Sequence, residues 1–134
     1  MLLYNPKELN NLSSKIYQAN KEKGFYDSEK NIGEMLALIH SEVSEALESH
    51  RKDKFLNNGD GDPNQFLNEI LEFGDTQFKT WFNAHVKDTF EDEVADAIIR
   101  LLDLCGYLEI NIEKHIEAKL RYNSLRPHKH GKNY

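Results

Sequence analysis

The sequence predicts an all-α protein with a single domain, residues 1–134, built as a bundle of four to five helices. Three observations lead to this fold class. Only three prolines and seven glycines interrupt the chain, so long segments contain no helix breakers. Within these segments hydrophobic residues recur at the spacing of helical turns. A chain of 134 residues is also long enough to bury a core but short for two domains.

The first helix is predicted over residues 5–23. Asn5 is a suitable N-cap, and Pro6 suits the first helical position, where its missing N–H breaks no hydrogen bond. We expect Gly24 to end the helix. The apolar stripe of this helix comprises Leu9, Leu12, Ile16 and Tyr17.

A second helix is predicted over residues 29–51, because its apolar side chains keep to one arc at about 100° per residue. They are Ile32, Met35, Ile39, Val43, Ala46 and Leu47.

Residues 52–66 are rich in turn formers and are predicted to be a loop or insertion. Asp60 and Asp62 suggest a calcium loop, but no glycine falls at its sixth position and no glutamate closes it. Residues 66–86 carry aromatic residues at loosely helical spacing, so we expect a helix that is interrupted at Gly74.

Residues 88–91, Asp-Thr-Phe-Glu, match a capping box with Asp88 as the N-cap, which predicts a helix over residues 88–107. This helix is apolar on nearly every side, so we expect it to be central and buried. Its Arg100 is expected to pair with Asp96 or with Asp103, four and three positions away.

The last helix is predicted from an N-cap at Asn111 to about Asn123, followed by an irregular basic tail over residues 124–134. Lys119 and Asn123 are four residues apart and so share one face of this helix, and Arg126 follows them. Arginine and lysine suit phosphate contacts. The block is therefore either a phosphate-binding group or a frayed tail.

The composition limits the possible partners. The formal net charge is −6, which argues against a general nucleic-acid binder. The single cysteine, Cys105, lies in an apolar run and reads as a core residue that cannot form an intramolecular disulfide. The N-terminus does not resemble a signal peptide, and no apolar stretch approaches membrane-spanning length. We therefore expect a cytoplasmic protein that does not bind membranes.

Four acidic residues stand in two pairs with three-residue spacing, which places each pair on one helix face. Glu42 and Glu45 lie at the edge of the apolar arc of the second helix, whereas Glu93 and Asp96 lie on the most apolar helix. Two carboxylates about 4 Å apart repel by roughly 4 kcal/mol at an effective dielectric near 20. Either cations hold the acids together, or the acids are protonated, apart or simply exposed to solvent.

Hard oxygen ligands select Mg²⁺, Mn²⁺ or Ca²⁺ over softer metals. The chain contains no Glu-x-x-His, no His-Glu-x-x-His and no paired cysteines, which argues against di-iron and zinc sites. It also lacks the glycine-rich loops of Walker and dinucleotide-binding motifs.

The segments Glu42-Val43-Ser44-Glu45 and Glu93-Val94-Ala95-Asp96 resemble the E-x-x-E and E-x-x-D motifs of the MazG-like all-α nucleoside triphosphate pyrophosphohydrolases. Residues 33–42, 88–93 and 119–132 are similar to segments of the same family. The resemblance extends from Asn31 onward except in the middle of the chain. There the stretch 52–87 is longer than a minimal member needs, which leaves the base preference open.

The resemblance implies hydrolysis of (deoxy)nucleoside triphosphates to monophosphate and pyrophosphate, as in nucleotide-pool cleaning. It implies Mg²⁺ as cofactor, with Mn²⁺ as a substitute, and assembly as a homodimer or homotetramer. The implied metal ligands are Glu42, Glu45, Glu93 and Asp96. Catalysis would fall to Glu42 and Glu45, one of which would position the attacking water. The implied phosphate ligands are Lys119, Asn123 and Arg126.

Two alternatives remain at the level of sequence. One is a dUTPase-like specialist that shares the metal site and differs in its base pocket. The other is a non-catalytic helical protein that binds a partner and whose acids are solvated. Stabilisation by Mg²⁺ is expected for the enzymes and not for the interaction module.

Overall fold

The structure is a computed structural model that describes residues 8–56 and 61–128. Over these residues it contains six helices and no strand, so the predicted all-α class is confirmed, with more helices than expected. The helices are α1 (Leu9–Glu22), α2 (Ile32–Arg51), α3 (Pro63–Leu71), α4 (Asp75–His85), α5 (Phe90–Tyr107) and α6 (Ile112–Ser124).

The chain divides into two compact units, and the boundary falls within α5. One unit comprises Met1–Lys30 and Leu101–Tyr134, and the other comprises Asn31–Arg100. Each unit is described by itself below.

In the first unit, α1 packs against α6. The backbone N–H of Asn10 donates to the Glu113 carboxylate at 3.0 Å, and the Asn10 amide donates to Asn111 Oδ1 at 2.9 Å. The predicted cap residues Asn5 and Pro6 lie outside the described residues.

The apolar stripe predicted for α1 is only partly buried. Leu12 is exposed, and the buried residue of the helix is Ser13, whose hydroxyl donates to the Leu102 carbonyl at 2.6 Å. Gly24 lies in the turn that follows α1, with a φ of +87° that only glycine adopts without strain, as the predicted helix end requires.

In the second unit, Asn31 sets the start of α2, because its side chain accepts the Glu34 N–H at 3.1 Å. The helix therefore begins at Ile32, three residues later than predicted. Of its predicted apolar arc, Ile39 and Ala46 are buried.

The prediction of a loop over residues 52–66 is wrong at its C-terminal end, because α3 begins at Pro63. Asp62 is its N-cap and accepts the Asn64 N–H at 2.9 Å, and Pro63 stands at the first helical position. Residues 57–60, which include Asp60, lie outside the described part of the chain.

Residues 66–86 are helical with an interruption, as predicted, because α3 ends at Leu71 and Gly74 caps the start of α4. The two helices pack against each other around a small core. Its buried members are Leu56, Ile70 and Val86, packed against Phe66, Leu67, Phe73, Phe78 and Phe82.

The prediction that α5 is buried on nearly every side is wrong for the chain by itself. Ala97 and Leu104 are buried, but four large apolar residues of α5 are 37–52% exposed. These are Val94, Ile98, Ile99 and Leu101.

The last helix, α6, begins as predicted, since the Asn111 side chain accepts the Lys114 N–H at 3.2 Å. None of the helices in the described ranges has the length and hydrophobicity needed to cross a membrane.

Candidate metal centre

The two acids of α2 differ in burial. Glu42 lies on the same side of the helix as the buried Ile39 and Ala46, three before it and four after it, and is only 7% exposed. Glu45 is one turn further along and is exposed to solvent. The prediction that both acids lie at the edge of the buried face therefore holds for Glu42, whereas Glu45 faces solvent.

The start of α5 is fixed by a cap that lies one residue later than predicted. The Thr89 hydroxyl accepts the Asp92 N–H at 3.3 Å, and the Asp92 carboxylate accepts the Asp88 N–H at 3.0 Å. Glu91, the predicted capping acid, instead accepts the Leu56 N–H at 2.8 Å. This register places Glu93 in the first turn of α5, where it is only 7% exposed.

The structure brings three of the four predicted metal ligands together. One carboxylate oxygen from each of Glu42, Glu45 and Glu93 lies within 4.8 Å of the others. We call these three residues the acidic triad. Asp96 is not part of this group, although it is half-buried on the next turn of α5 and its charge acts on Glu93.

The pKa shifts show how strongly these acids affect one another. Burial, followed by the charges of Glu45 and Asp96, raises the pKa of Glu93 to about 7. A shared hydrogen bond with Glu42, and then the charge of Glu42, raises the pKa of Glu45. Burial and the charges of Asp92 and Glu42 raise the pKa of Asp96. A cation at the triad would oppose each of these shifts.

The side chain of Arg100 contacts the triad within the second unit. Arg100 Nε donates to Glu42 Oε1 at 2.5 Å, joining α5 to α2. The prediction that Arg100 pairs with Asp96 or Asp103 is therefore wrong for its hydrogen bond. Its charge still acts on Asp96, where it opposes the rise in pKa that burial causes. Sequence spacing could not have found Glu42, which is 58 residues away.

The donor set of the triad fits a hard divalent cation. All three groups offer carboxylate oxygens, the ligands that Mg²⁺ and Mn²⁺ prefer. Oxygens bound to one Mg²⁺ at about 2.1 Å are roughly 3 Å apart at adjacent positions and roughly 4.2 Å apart at opposite ones. The triad oxygens, which lie within 4.8 Å of one another, would therefore have to move closer together to bind one ion.

The three predicted phosphate ligands lie on the last turns of α6 and just beyond it, in the first unit. Lys119 Nζ lies 5.0 Å from the ring centre of Tyr122, and the Arg126 guanidinium lies 5.8 Å from the same ring. Tyr122 is exposed, so it holds both cations at the surface. Asn123 is half-buried beside Tyr122. Of the basic tail, residues 129–134 lie outside the described part.

In the first unit, the half-buried Asp103, named from the sequence only as a possible partner of Arg100, bonds instead to an aromatic residue. Asp103 Oδ2 accepts a hydrogen bond of 2.8 Å from the Tyr26 hydroxyl. The Tyr26 ring lies 4.9 Å from that of Tyr17 and 5.0 Å from that of Tyr107, centre to centre. Asp103 thus belongs to an aromatic cluster.

Comparison with known proteins finds no relative of this chain. The chain matches no family model, and no curated protein and no solved structure matches it.

Proposed function

We propose that this protein is a Mg²⁺-dependent hydrolase that cleaves (deoxy)nucleoside triphosphates to nucleoside monophosphate and pyrophosphate. The observation that carries the proposal is that carboxylate oxygens of Glu42, Glu45 and Glu93 lie within 4.8 Å of one another. Glu45 and Glu93 belong to different helices and are 48 residues apart in the sequence. Packing three acids together is costly unless a cation joins them. The resemblance of the same residues to the E-x-x-E and E-x-x-D motifs supports the choice of substrate.

The proposal assigns different tasks to the acids. A bound Mg²⁺ would neutralise phosphate oxygens and lower the pKa of a nearby water. Glu42 and Glu93 are buried and would hold the ion, with Asp96 as a further ligand on the next turn. Glu45 is exposed, carries no ion pair with Arg100 and has a raised pKa, which favours Glu45 over the Arg100-bound Glu42 as the group that orients the water and accepts its proton.

The proposal assigns phosphate binding to Lys119, Asn123 and Arg126. The support is the pairing of two cations on the exposed ring of Tyr122, which places positive charge at the surface of an otherwise acidic protein. Arginine offers a planar fork to phosphate oxygens, and lysine offers a point charge.

We further propose that the protein is a homo-oligomer, a homodimer or homotetramer, in which α2 and α5 contact a second copy. A groove of about 400 Å³ on the second unit is lined by residues of both helices, and four of its large apolar residues are at least 37% exposed. These are Val43, Leu47, Val94 and Ile98. A second copy offers the same apolar face, as a two-fold interface requires. Light scattering should therefore give at least twice the chain mass, and Leu47→Glu should reduce it.

The deciding experiment is a nucleotide panel with Mg²⁺, in which pyrophosphate and orthophosphate are measured separately. We expect pyrophosphate and nucleoside monophosphate in equal amounts, and no product from Glu93→Gln with unchanged helical circular dichroism. Release of orthophosphate alone would contradict cleavage between the α and β phosphates. A turnover confined to dUTP would favour the dUTPase-like specialist, and no turnover together with no stabilisation by Mg²⁺ would favour a partner-binding protein.

A further inference from the structure

The ion pair between Arg100 and Glu42 engages one of the three carboxylates that the proposed metal site needs. Arg100 Nε lies 2.5 Å from Glu42 Oε1. The Glu42 side chain is 10% exposed, and that of Arg100 is 44% exposed. The buried partner is thus an acid of the triad, and the more exposed partner is the cation.

We propose that Arg100 is a built-in competitor of the metal: it neutralises Glu42 when the triad holds no divalent ion, and it releases Glu42 when such an ion binds. This inference rests on the proposed function, because it assumes that the triad is a metal site. It adds a residue outside the four predicted ligands that sets the metal affinity of the site.

The charges favour such an exchange. A divalent ion attracts each carboxylate about twice as strongly as a guanidinium does at the same distance and dielectric. It would also lie among three carboxylates, whereas Arg100 bonds to Glu42. The bond is made through Nε, and no described residue takes the terminal guanidinium nitrogens in a hydrogen bond. Arg100 can therefore withdraw into solvent without breaking a second bond among the described residues.

The position of Arg100 on α5 also fits this role. It lies seven residues after Glu93 and four after Asp96, so all three share one face of the helix. Its positive charge acts on Asp96 as well. Removing Arg100 therefore makes the whole acidic group more negative and more attractive to a cation.

The test compares metal binding by the full-length protein and its variants, with Mn²⁺ as the probe and no nucleotide present. Arg100→Met should bind Mn²⁺ about two- to fivefold more tightly than the unaltered protein, the range that the worth of an exposed ion pair allows. Its melting temperature without metal should fall, because Glu42 loses its partner. Arg51→Met is the matched control, because it removes the same charge from the exposed end of α2; its Mn²⁺ affinity should change less than twofold.

A second measurement follows Arg100 directly. The Nε–Hε NMR signal of Arg100, identified by its loss in Arg100→Lys, should shift on addition of Mg²⁺, and its hydrogen exchange should become faster. Unchanged or weaker Mn²⁺ binding by Arg100→Met, or an unmoved Arg100 signal in protein that binds Mg²⁺, would overturn the competition while leaving the metal site intact. If the unaltered protein binds no Mn²⁺, or if Glu93→Gln binds it equally well, the proposed metal site itself fails.

Discussion

The Tyr26 hydroxyl donates a 2.8 Å hydrogen bond to Asp103 Oδ2, whereas Oδ1 of the same carboxylate is buried and accepts no hydrogen bond from the described residues. Burial and this bond to Asp103 raise the pKa of Tyr26, so the hydroxyl stays protonated and remains a donor. Because Asp103 is half-buried and its Oδ1 has no partner among the described residues, the acid depends strongly on the bond to Tyr26. The bond also joins residues 77 positions apart within the first unit.

We therefore expect Tyr26→Phe to destabilise the protein by about 1–3 kcal/mol, because Asp103 would lose its hydrogen bond inside the cluster. Urea unfolding followed by circular dichroism would measure the loss. Tyr107→Phe is the matched control, since it removes a hydroxyl from the same cluster without removing this bond. Equal losses in the two variants would mean that the hydrogen bond adds nothing beyond ring packing.

Gly106 lies where α5 passes close to α1. A Cβ at this position would lie 2.7 Å from Tyr17 Cβ and 2.8 Å from the Ser13 carbonyl oxygen. In Gly106→Ala the gain in helix propensity is about 1 kcal/mol, whereas overpacking against backbone costs about 1–3 kcal/mol. We expect a net loss of stability, measured as a lower melting temperature. An unchanged or higher melting temperature would mean that α1 moves away from the added methyl group and that the close approach costs nothing.

The raised pKa of Glu93 makes the stability of the metal-free protein depend on pH. Because burial raises that pKa from 4.5 to about 7, the folded state binds more protons than the unfolded state between these values. The free energy of unfolding should therefore fall as the pH rises from about 4.5 to 7, by at most roughly 3 kcal/mol from this group. Urea unfolding at a series of pH values in a chelator measures this slope.

Glu93→Gln should flatten the slope and make the metal-free protein more stable than the unaltered protein at pH 8. The exposed Glu29→Gln is the control and should leave the slope unchanged. Addition of Mg²⁺ at pH 8 should restore stability to the unaltered protein, by about 2.7 kcal/mol at a concentration of one hundred times Kd. A stability that rises with pH from 4.5 to 7 would contradict the raised pKa.

The parts of this fold that could be predicted are those set by local chemistry. The caps at Asn31 and Asn111 are recognisable because a side chain bonds to a backbone N–H three residues away. The start of α3 was missed because Asp62 and Pro63 stand in a run of turn formers, although the same pair is a good helix start. An apolar pattern predicts that a face avoids water, but it does not say whether the covering surface belongs to the same chain, and so the burial of α5 was overestimated.

The candidate site was predictable in its residue types and only partly in its geometry. The three-residue spacing placed Glu42 and Glu45 on one face, but the pairing of α2 with α5 that brings Glu93 to them is a tertiary contact. Asp96 and Asp103 stand at helical spacing from Arg100, but Arg100 bonds to Glu42 on a different helix. Local spacing lists the available partners, whereas helix packing selects among them.

The basic face of α6 gives the last prediction, which rests on the proposed function. If Lys119 and Arg126 bind phosphates, Lys119→Ala and Arg126→Ala should each lower kcat/KM for nucleoside triphosphates about tenfold or more, because each would remove a charge-assisted contact. The loss should appear mainly in KM, since these groups bind the substrate before and during the reaction. Arg121→Ala is the matched control, because it removes an exposed cation from the last turn of the same helix. If all three variants lose activity equally, general attraction of the anionic substrate explains the effect; if none loses activity, the phosphates bind elsewhere.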